Sequence, residues 1–561
     1  MPSFKLTKFA GIIPKQQAQN LPQPMAQVAL DVDLSHDTLR SWRTDKFISE
    51  RKGEYLFVDG CCVLTSDNCK ASIDRIHTDC EYLIGSGIKD YPVINKKALA
   101  CNNEWKRLGL PLNLPPIDVY QQAVPMPQGT DYDRQPVEFN LEVRQYYYTL
   151  VDSFEFESAP SFPSEPLYFH NDKPATINGL PTTFDGYDIR FIRLYCAVTP
   201  YDHGEMIAKG EVVKEDAPFL LVAEVPFGTT TITHEPHIAY GEECLTEEYE
   251  PPVDNIRDLQ YCGNGQIGGI VGNELWLSEP LLPHAFPESY RYGNFNGNLV
   301  RFLCTERTGY ILTDARPAII EMESPCKTQG CRSVNELEET LPIISYQSAC
   351  LYNGACFYAS YDGLVMLNGN TAKIITAELY TTDQWQALKP WTMKGVVHNG
   401  YYFGVTESGT IRFNVDAGIY ANIPAQGLTT LSIRPTAFYR SNQDRLYFCD
   451  ENGTFEWNAG TDFKTLEWQC RLNVVPSYTA FTAYKVVQDF VPSHIIHTAY
   501  KRHRNEMVGD RIILGDKIVN DSRPHRLKGG YTTLAIDVNI KTQGEIYEYH
   551  LASSVAELGG A

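Results

Sequence analysis

One pattern built around a glycine occurs three times in the chain, as FYASYDGLVMLN (357–368), FGVTESGTIRFN (403–414) and YFCDENGTFEWN (447–458). The glycine follows a polar residue each time, at Gly363, Gly409 and Gly453. Apolar residues stand four and six positions before it and two and four positions after it, and an asparagine stands five positions after it. Apolar positions two apart on both sides of a tight turn predict a β-hairpin with one buried face.

The spacing of the repeats predicts how the hairpins are used. Their glycines lie 46 and then 44 residues apart, which is the period of a four-stranded propeller blade. Because a hairpin cannot bury its inner face alone, units of this kind pack on their neighbours. We therefore predict a mainly β chain with a β-propeller body. Three unrelated hairpins in another β-fold are the alternative.

The regions around the repeats have patterns of their own. Val143, Tyr146, Tyr148 and Leu150 fall mostly on one alternating face, which with frequent turn signals is typical of an immunoglobulin-like or fibronectin type III-like sandwich. The first residues offer apolar anchors without a core and a short helical pattern at 26–29, so we expect an arm that lies on another domain or subunit. The predicted segments are an N-terminal arm (1–43), first propeller strands and a connector (44–137), an inserted sandwich (138–250), the main propeller blades (251–470) and a C-terminal β-domain (471–561).

The composition is that of a folded, acidic chain. Its 34 tyrosines and 25 phenylalanines favour β-structure, and 40 glycines and 34 prolines supply turns. The formal charge of −21, from 48 basic and 69 acidic residues, argues against sequence-independent wrapping of nucleic acid, which needs a cationic surface. No apolar run is long enough for a membrane span or a signal-peptide core, so we expect a soluble chain. Fifteen cysteines without a CxxC pair favour reduced, buried thiols made in a cytoplasm.

No motif of the chain predicts a catalytic, cofactor-binding or metal-ligating residue. The GxGxxG match at 263–268 continues into strand-like residues, whereas dinucleotide binding requires a helix there. His284 near Glu288 has the elements of a base with an acidic orienter but no nucleophile, so a structural imidazole is the preferred interpretation. The turn after Asp450 resembles the Asp-box of sialidases, yet the other copies do not repeat its order.

A basic cluster stands out in this acidic chain. Lys501, Arg502 and Arg504 flank His503. Such a cluster contacts DNA phosphates or an acidic partner, or it forms the solvated tip of a hairpin. The sequence leaves both interpretations open.

The segment from Asn273 to Pro287 carries a recognisable signature. With Ser278, Pro283 and His284 in place, it resembles the "sep–phaWP" segment of tail nozzle, or tail hub, proteins of short-tailed bacteriophages. Phe286 stands where that family usually has tryptophan. The resemblance continues through segments whose order covers most of the chain: 9–39 in the arm, 144–149 and 157–161 in the sandwich, 358–365 (with Tyr361 where proline is common), 523–527 (followed by Lys528 where proline is usual) and 551–558.

The resemblance implies a virion structural protein and not an enzyme. Such proteins form a homohexameric ring below the portal and its adaptor, bind tail fibre or spike and tail-tip proteins, and extend the channel through which double-stranded DNA passes without sequence-specific binding. The chain would be assembled in the bacterial host cytoplasm and reside in the virion tail, with its C-terminal domain as the platform or nozzle. The residues expected to serve structure or assembly are Ser278, Pro283, His284, Phe286, Pro287, Gly363, Gly409, Gly453, Arg523, Arg526 and Leu527.

Two other functions compete with this interpretation. A propeller on a virion also suits a glycan-binding protein or a glycoside hydrolase, although retaining hydrolysis needs two carboxylates placed in one pocket, which the sequence does not reveal. A receptor-binding or scaffold propeller that stays monomeric is the other rival.

Overall fold

The computed structural model describes the chain at 3–76, 81–121, 141–170, 173–200, 217–236, 238–262, 265–322, 332–416, 427–501 and 511–558. Nearly all regular structure in these residues is β-strand, which confirms the mainly β fold. The chain divides into two compact units: unit 1 comprises Met1–Lys70, Phe295–Ile320 and Val334–Ala561, and unit 2 comprises Ala71–Asn294 and Glu321–Ser333. No helix among the described residues combines the length and the hydropathy needed to cross a membrane.

The three repeated stretches form hairpins of one geometry in unit 1. Two residues make each turn, because the glycine pairs with the residue three positions before it. The φ angles of Gly363, Gly409 and Gly453 are 157°, 155° and 146°. A side chain rarely adopts this conformation, so the turn itself requires glycine at this position.

Each repeated hairpin is the centre of four antiparallel strands, here called a blade (blades 2 to 4), and the four-stranded sheet that precedes them in the chain is blade 1. A helix, Thr382–Ala387, joins blades 2 and 3 and is capped by the Thr381 side chain. Blade 1 contains Leu299–Cys304, Thr308–Thr313, Ala318–Glu321 and Val334–Glu336; blade 2 contains Cys350–Tyr352, Ala355–Ser360, Gly363–Asn368 and Thr371–Ile374; blade 3 contains Lys394–His398, Tyr401–Thr406, Gly409–Asn414 and Leu428–Leu431; blade 4 contains Ala437–Arg440, Leu446–Asp450, Gly453–Glu456 and Lys46–Ser49.

Both faces of the repeated hairpins are buried, so the prediction of one buried face is wrong. In blade 2, Phe357 and Ala359 belong to a core that includes blade 3. Cys356 and Tyr358, between and beside them, belong to a core that includes blade 1. Successive side chains of a strand point to opposite faces, so one strand packs on two neighbours. This face-to-face succession is the packing of propeller blades.

Blade 4 takes its fourth strand from the N-terminal part of the chain. Lys46–Ser49 pairs antiparallel with Gly453–Glu456. Two side chains of the third repeat hold the segment: Asn458 Oδ1 accepts a hydrogen bond from the Arg43 amide (2.7 Å), and Thr454 Oγ1 donates to the Arg51 carbonyl (2.6 Å). A hairpin, Tyr55–Asp59 and Cys62–Ser66, packs on blade 4.

The first residues are part of a sheet and do not contain the expected helix. Ala26–Leu30 is a strand that pairs antiparallel with Leu466–Cys470. Its residues Ala26 and Ala29 are fully buried in a core of unit 1 that also contains Trp468 and Tyr549. Tertiary packing of small side chains between strands therefore overrides the helical spacing at 26–29.

The C-terminal residues form two sheets around that same core. The larger sheet continues from blade 3 and is the longest of the described residues. Beyond blade 3, the larger sheet contains Ala26–Leu30, Leu466–Cys470, Thr533–Thr542, Ser493–Tyr500, Arg511–Val519 and Asn473–Thr479; the smaller contains Val32–Asp33, Leu39–Ser41, Glu545–Ala552, Ala483–Gln488, His525–Arg526 and Phe4–Leu6.

Unit 2 contains two further four-stranded sheets and a sandwich. The two sheets share a core, and the short helix Lys97–Ala100 follows the third strand of the first. Their strands are Ser72–Ile76, Tyr82–Ser86, Val93–Lys96 and Lys106–Arg107 in one sheet, and Arg257–Tyr261, Ile267–Val271, Glu274–Leu277 and Arg291–Tyr292 in the other.

The sandwich packs a four-stranded sheet on a three-stranded sheet. Tyr146, Tyr148 and Leu150 are fully buried between them, as their alternation predicts. The strands are Leu167–His170, Leu141–Asp152, Ile189–Pro200 and Leu220–Pro226 in one sheet, and Asp118–Gln121, Ala175–Asn178 and Thr231–His234 in the other.

The cysteines are mostly the thiols that the sequence predicts. Ten cysteines of the described residues are free, and six of these are buried. Burial raises the pKa of the Cys196 and Cys470 thiols to about 12, so both are protonated and unreactive at neutral pH. Cys62 in unit 1 and Cys101 in unit 2 each belong to a disulfide, so the expectation of reduced thiols is wrong at these two positions.

Candidate functional site

The segment from Ser278 to Pro287 in unit 2 is buried along most of its length. Ser278 is fully buried, and its Oγ accepts from the Ile267 amide (2.9 Å) and donates to the Glu279 carbonyl (3.0 Å). Pro283 and Pro287 are buried as well, and Pro287 precedes the 3-10 helix Glu288–Tyr290. The polar and proline residues of this segment thus fix its backbone.

Phe286 anchors the segment in the core. Its ring is fully buried with Trp276 and Ile84, and its amide donates to the Glu250 carbonyl (2.7 Å). An apolar aromatic ring at this position needs no hydrogen-bond partner. Phenylalanine, unlike tryptophan, brings no N–H into this buried position, so no donor is left unpaired.

His284 joins this segment to the sandwich within unit 2. Its Nε2 donates to the Glu157 carbonyl (2.9 Å), and its ring stacks on Phe156 with centroids 4.5 Å apart. Burial lowers the pKa of His284 to about 4, so the imidazole is neutral at pH 7. Nε2 carries the hydrogen, and Nδ1 has no hydrogen-bond partner among the described residues. This is the geometry of a structural imidazole rather than of a base oriented by Glu288.

Glu157 is the residue at which the segment 157–161 contacts the segment Ser278–Pro287. Its carbonyl accepts from His284, while its carboxylate is bound within the sandwich. Oε1 accepts from Thr149 Oγ1 (2.5 Å) and Tyr195 Oη (2.7 Å), and Oε2 accepts from Arg193 (2.6 Å). The carboxylate is thus fully hydrogen-bonded, which offsets the cost of its partial burial.

The residues after Glu157 contain a repeated serine-proline motif that was not predicted from the sequence. The segment SAPSFPSEP (158–166) repeats Ser-x-Pro three times. Each serine bonds the backbone of one residue of the strand Leu141–Asp152: its amide donates to the carbonyl of that residue and its hydroxyl accepts from the amide of the same residue. The prolines lack the amide that would extend the sheet. The pairs are Ser158 with Leu150, Ser161 with Tyr148 and Ser164 with Tyr146.

Asp152 caps the turn that leads to Glu157. Its Oδ1 accepts from the Phe154 (2.7 Å) and Phe156 (3.0 Å) amides, while burial raises the pKa of its carboxyl to about 6. The carboxylate is therefore harder to ionise than in the unfolded chain, yet it is mostly ionised at pH 7 and carries the cost of a buried charge.

Asp152→Asn is expected to stabilise unit 2 by about 1–3 kcal/mol at pH 8, because asparagine accepts the same two hydrogen bonds without a buried charge. The gain should shrink as the pH falls through about 6 and vanish near pH 4, where the aspartate is protonated. Urea unfolding at pH 8 and pH 4.5 measures this, with the exposed Asp185→Asn as control. A gain of the same size at both pH values would contradict the cause given.

The residues Arg523 to Leu527 lie at the edge of the smaller C-terminal sheet in unit 1. His525 and Arg526 pair with Tyr484 and Ala483. Leu527 is buried and its amide donates to the Thr482 carbonyl (2.7 Å), whereas Arg523 and Arg526 are exposed. Leu527 therefore fixes the strand, and the two guanidinium groups are accessible.

The basic cluster is described only in part. Lys501 is exposed immediately after the strand Ser493–Tyr500. Arg502 and Arg504 lie outside the described residues. Contact of this cluster with DNA or with a partner stays a prediction.

An exposed apolar strand forms the edge of the larger C-terminal sheet. Arg511–Val519 is the last strand of that sheet in the described residues, and Ile513 and Ile518 on it are 54% and 69% exposed. Phe490, in a turn of the same unit, is 94% exposed. The sequence predicts a strand here, but it does not predict which of its side chains are exposed to solvent. Exposed apolar edges of this kind are typical of surfaces that bind another chain.

The remaining motifs have structural contexts. After Gly265 the chain forms the strand Ile267–Val271, where a dinucleotide motif needs a helix. Asp450 Oδ1 accepts from the Asn452 (2.7 Å) and Gly453 (3.2 Å) amides and so shapes the turn of blade 4. Within the described parts of the chain, no group of three or more His, Cys, Asp or Glu residues has a metal-binding arrangement.

Comparison with known proteins yields distant likenesses of structure. No family model matches the chain, and no curated protein does. The structure is similar to Kluyvelomyces marxianus Hsv2 (7% identity, 62% of this chain and 94% of that one, TM-score 0.25). It is also similar to the AfRom2 CNH domain (9%, 54% and 89%, TM-score 0.22) and to PorZ of Porphyromonas gingivalis (9%, 81% and 77%, TM-score 0.23). At these TM-scores the likenesses carry no functional argument.

Proposed function

We propose that this chain is a virion structural protein, a subunit of the tail nozzle or hub ring of a short-tailed bacteriophage. The ring would lie below the portal and its adaptor and provide the channel for genome retention and ejection. The observation that carries the assembly part of this proposal is the exposed apolar edge strand Arg511–Val519. A monomer gains nothing by leaving Ile513 and Ile518 in water, whereas a subunit buries them on assembly.

The buried contacts of the segment Ser278–Pro287 support the same function. Ser278, His284 and Phe286 are buried, and each forms a hydrogen bond to a backbone group of another segment. The imidazole of His284 is both stacked and hydrogen-bonded. These are contacts of a rigid framework. In a nozzle subunit, function resides in the interfaces and the pore, so the framework residues need no chemistry of their own.

The net charge of −21 suits a channel for DNA. An acidic wall repels phosphates, so that double-stranded DNA passes without sequence-specific binding. The partners expected in this proposal are five further copies of the chain, the portal-adaptor, a tail fibre or spike and the tail-tip proteins. The site of action would be the virion tail after assembly in the host cytoplasm.

The mass of the assembled particle tests the proposal. Six copies of a 63.4 kDa chain weigh about 380 kDa, and a ring with a central hole should be visible by negative-stain electron microscopy. Because a purified chain can stay monomeric until it meets the adaptor, isolated virion tails are the decisive sample. Finding the chain only in peripheral spikes, with glycan cleavage that depends on a pocket carboxylate, would support the glycosidase rival instead.

Ile513→Asp combined with Ile518→Asp is expected to weaken self-association by at least about 100-fold. Each fully buried isoleucine contributes about 1.5–3 kcal/mol, and each aspartate would bring an unpaired charge into the contact. Sedimentation or light scattering at fixed salt measures the change. The control is Tyr361→Asp, at a residue that is 56% exposed on the turn of blade 2. Equal loss in the control, or normal rings of the double variant, would contradict the assigned edge.

A further inference from the structure

A cavity of about 90 Å³ lies between blades 3 and 4 of unit 1. Its lining includes Arg412 and His398 of blade 3, Trp457 and Asn458 after the last hairpin strand of blade 4, and Trp42 of the N-terminal segment. The volume corresponds to about three water molecules at roughly 30 Å³ each, or to one small polyatomic ion.

Arg412 is a buried cation in this lining. The residue is 5% exposed, and its guanidinium lies 3.5 Å from the ring centre of Tyr401 and 4.7 Å from that of Trp42. Its Nε has no hydrogen-bond partner among the described residues, and none of their carboxylates forms an ion pair with it. The Tyr401 hydroxyl interacts with it, and Asp33 acts on it only at longer range.

The cost of this burial is only partly offset. Aromatic faces attract a guanidinium, but they do not replace the hydrogen bonds that its N–H groups make in water. Buried charges in proteins are normally paired with an opposite charge. The following segment, 417–426, lies outside the described residues and contains no acidic residue in its sequence.

Two further donors line the same cavity. Trp42 Nε1 is buried and makes no hydrogen bond to the described residues, and His398 Nδ1 is buried beyond hydrogen-bond distance of its nearest carboxylate. His398 Nε2 accepts from the Asn399 amide (3.0 Å), so Nδ1 carries the hydrogen, and the Asp444 carboxylate is 3.6 Å from it. Asn458 uses its Oδ1 to accept from Arg43, which leaves its Nδ2 as a donor. The polar groups of the cavity are therefore donors, and one of them is positively charged.

We propose that this cavity binds one small oxyanion, of the size of phosphate or acetate, through the Arg412 guanidinium with Trp42 Nε1 and His398 Nδ1 as further donors. Charge-assisted hydrogen bonds from a guanidinium are the strongest that an oxyanion forms in proteins. The bound anion would join blade 3, blade 4 and the N-terminal segment that supplies the last strand of blade 4. This proposal does not depend on the nozzle function.

Titration of the purified full chain with sodium phosphate, and separately with sodium acetate, tests the proposal at constant ionic strength. We expect binding of one anion per chain by calorimetry, a change in tryptophan fluorescence, and a melting temperature that rises with anion concentration. Arg412→Met should weaken binding at least about 30-fold, and Trp42→Phe, which keeps an aromatic ring but removes the N–H, about 3–10-fold. Binding of phosphate alone would indicate a phosphate ligand, and binding of acetate alone a carboxylate.

The matched control is Arg445→Met, at an arginine of blade 4 that is exposed and paired with Glu456. It removes the same charge and should leave anion binding unchanged. The proposal is overturned if neither anion at millimolar concentration changes the heat, the fluorescence or the melting temperature of the native chain. Unchanged affinity in Arg412→Met overturns it too. Should Arg412→Met fail to fold, the titrations of the native chain and of Trp42→Phe decide the matter.

Discussion

Gly453→Ala is expected to destabilise unit 1 by about 3–5 kcal/mol, the largest effect among the three repeated glycines. A Cβ at this position would lie 2.5 Å from the Ser49 carbonyl oxygen and 2.9 Å from the Phe47 ring. Both belong to the strand that completes blade 4, and a backbone carbonyl cannot turn aside as a side chain can. The φ of 146° adds the strain of a conformation that alanine avoids.

The two equivalent glycines are the internal controls. A Cβ at Gly363 would meet the side chains of Ile374 and Thr376 at 2.5 Å, so we expect a loss of about 2–3 kcal/mol. At Gly409 it would meet only the mobile end of Arg434, at 3.1 Å, so the backbone strain of about 1–2 kcal/mol should dominate. Urea unfolding of the three variants measures the order. Equal losses would show that φ alone, and not the neighbouring strand, decides the cost.

The hairpins were predictable because everything that specifies them is local. The alternation of apolar residues and the glycine lie within twelve residues, and the period between copies gives the blade. The use of both faces was not predictable, because Cys356 and Tyr358 look like occasional apolar residues until a second blade covers them. The strand Lys46–Ser49 was not predictable either, because its partner lies about four hundred residues later and its own residues alternate only weakly.

The N-terminal segment shows where a short pattern misleads. Ala26 and Ala29 have the spacing of a helical face, and alanine favours helices. The strand forms instead because Leu466–Cys470 offers a ladder and because only small side chains fit at these fully buried positions. The sandwich was predictable for the opposite reason, since Tyr146, Tyr148 and Leu150 alternate over a strand long enough to show its period.

The candidate site was visible in its residues but not in its contacts. His284 was identified from its segment, whereas its partner Glu157 lies 127 residues earlier. Nothing in either segment specifies that they meet. Arg412 was hidden for a similar reason, since the rings of Trp42 and Tyr401 that enclose it come from different parts of the chain.

His284→Ala is expected to destabilise unit 2 by about 3–5 kcal/mol. The change leaves the buried Glu157 carbonyl without its donor and removes the ring that stacks on Phe156. His284→Gln should recover part of the loss, because its amide nitrogen can reach the position of Nε2 and donate to the same carbonyl. Urea unfolding compares the two variants, with the exposed His36→Ala as control. A glutamine variant no better than alanine would assign the loss to packing alone.

The pH dependence of stability distinguishes the imidazole from a passive spacer. Because the pKa of His284 is lowered to about 4, the unfolded chain binds a proton between pH 6.5 and 4 that the folded chain does not, so stability falls as the pH falls through this range. The contribution is about 3 kcal/mol in total. His234, whose pKa is also lowered to about 4 by burial, adds a similar contribution, whereas Asp152 opposes both because its pKa is raised. Each acts equally in the native chain and in His284→Gln, so the difference between their pH profiles isolates His284. Parallel profiles from pH 7 to pH 4 would contradict a buried neutral imidazole at this contact.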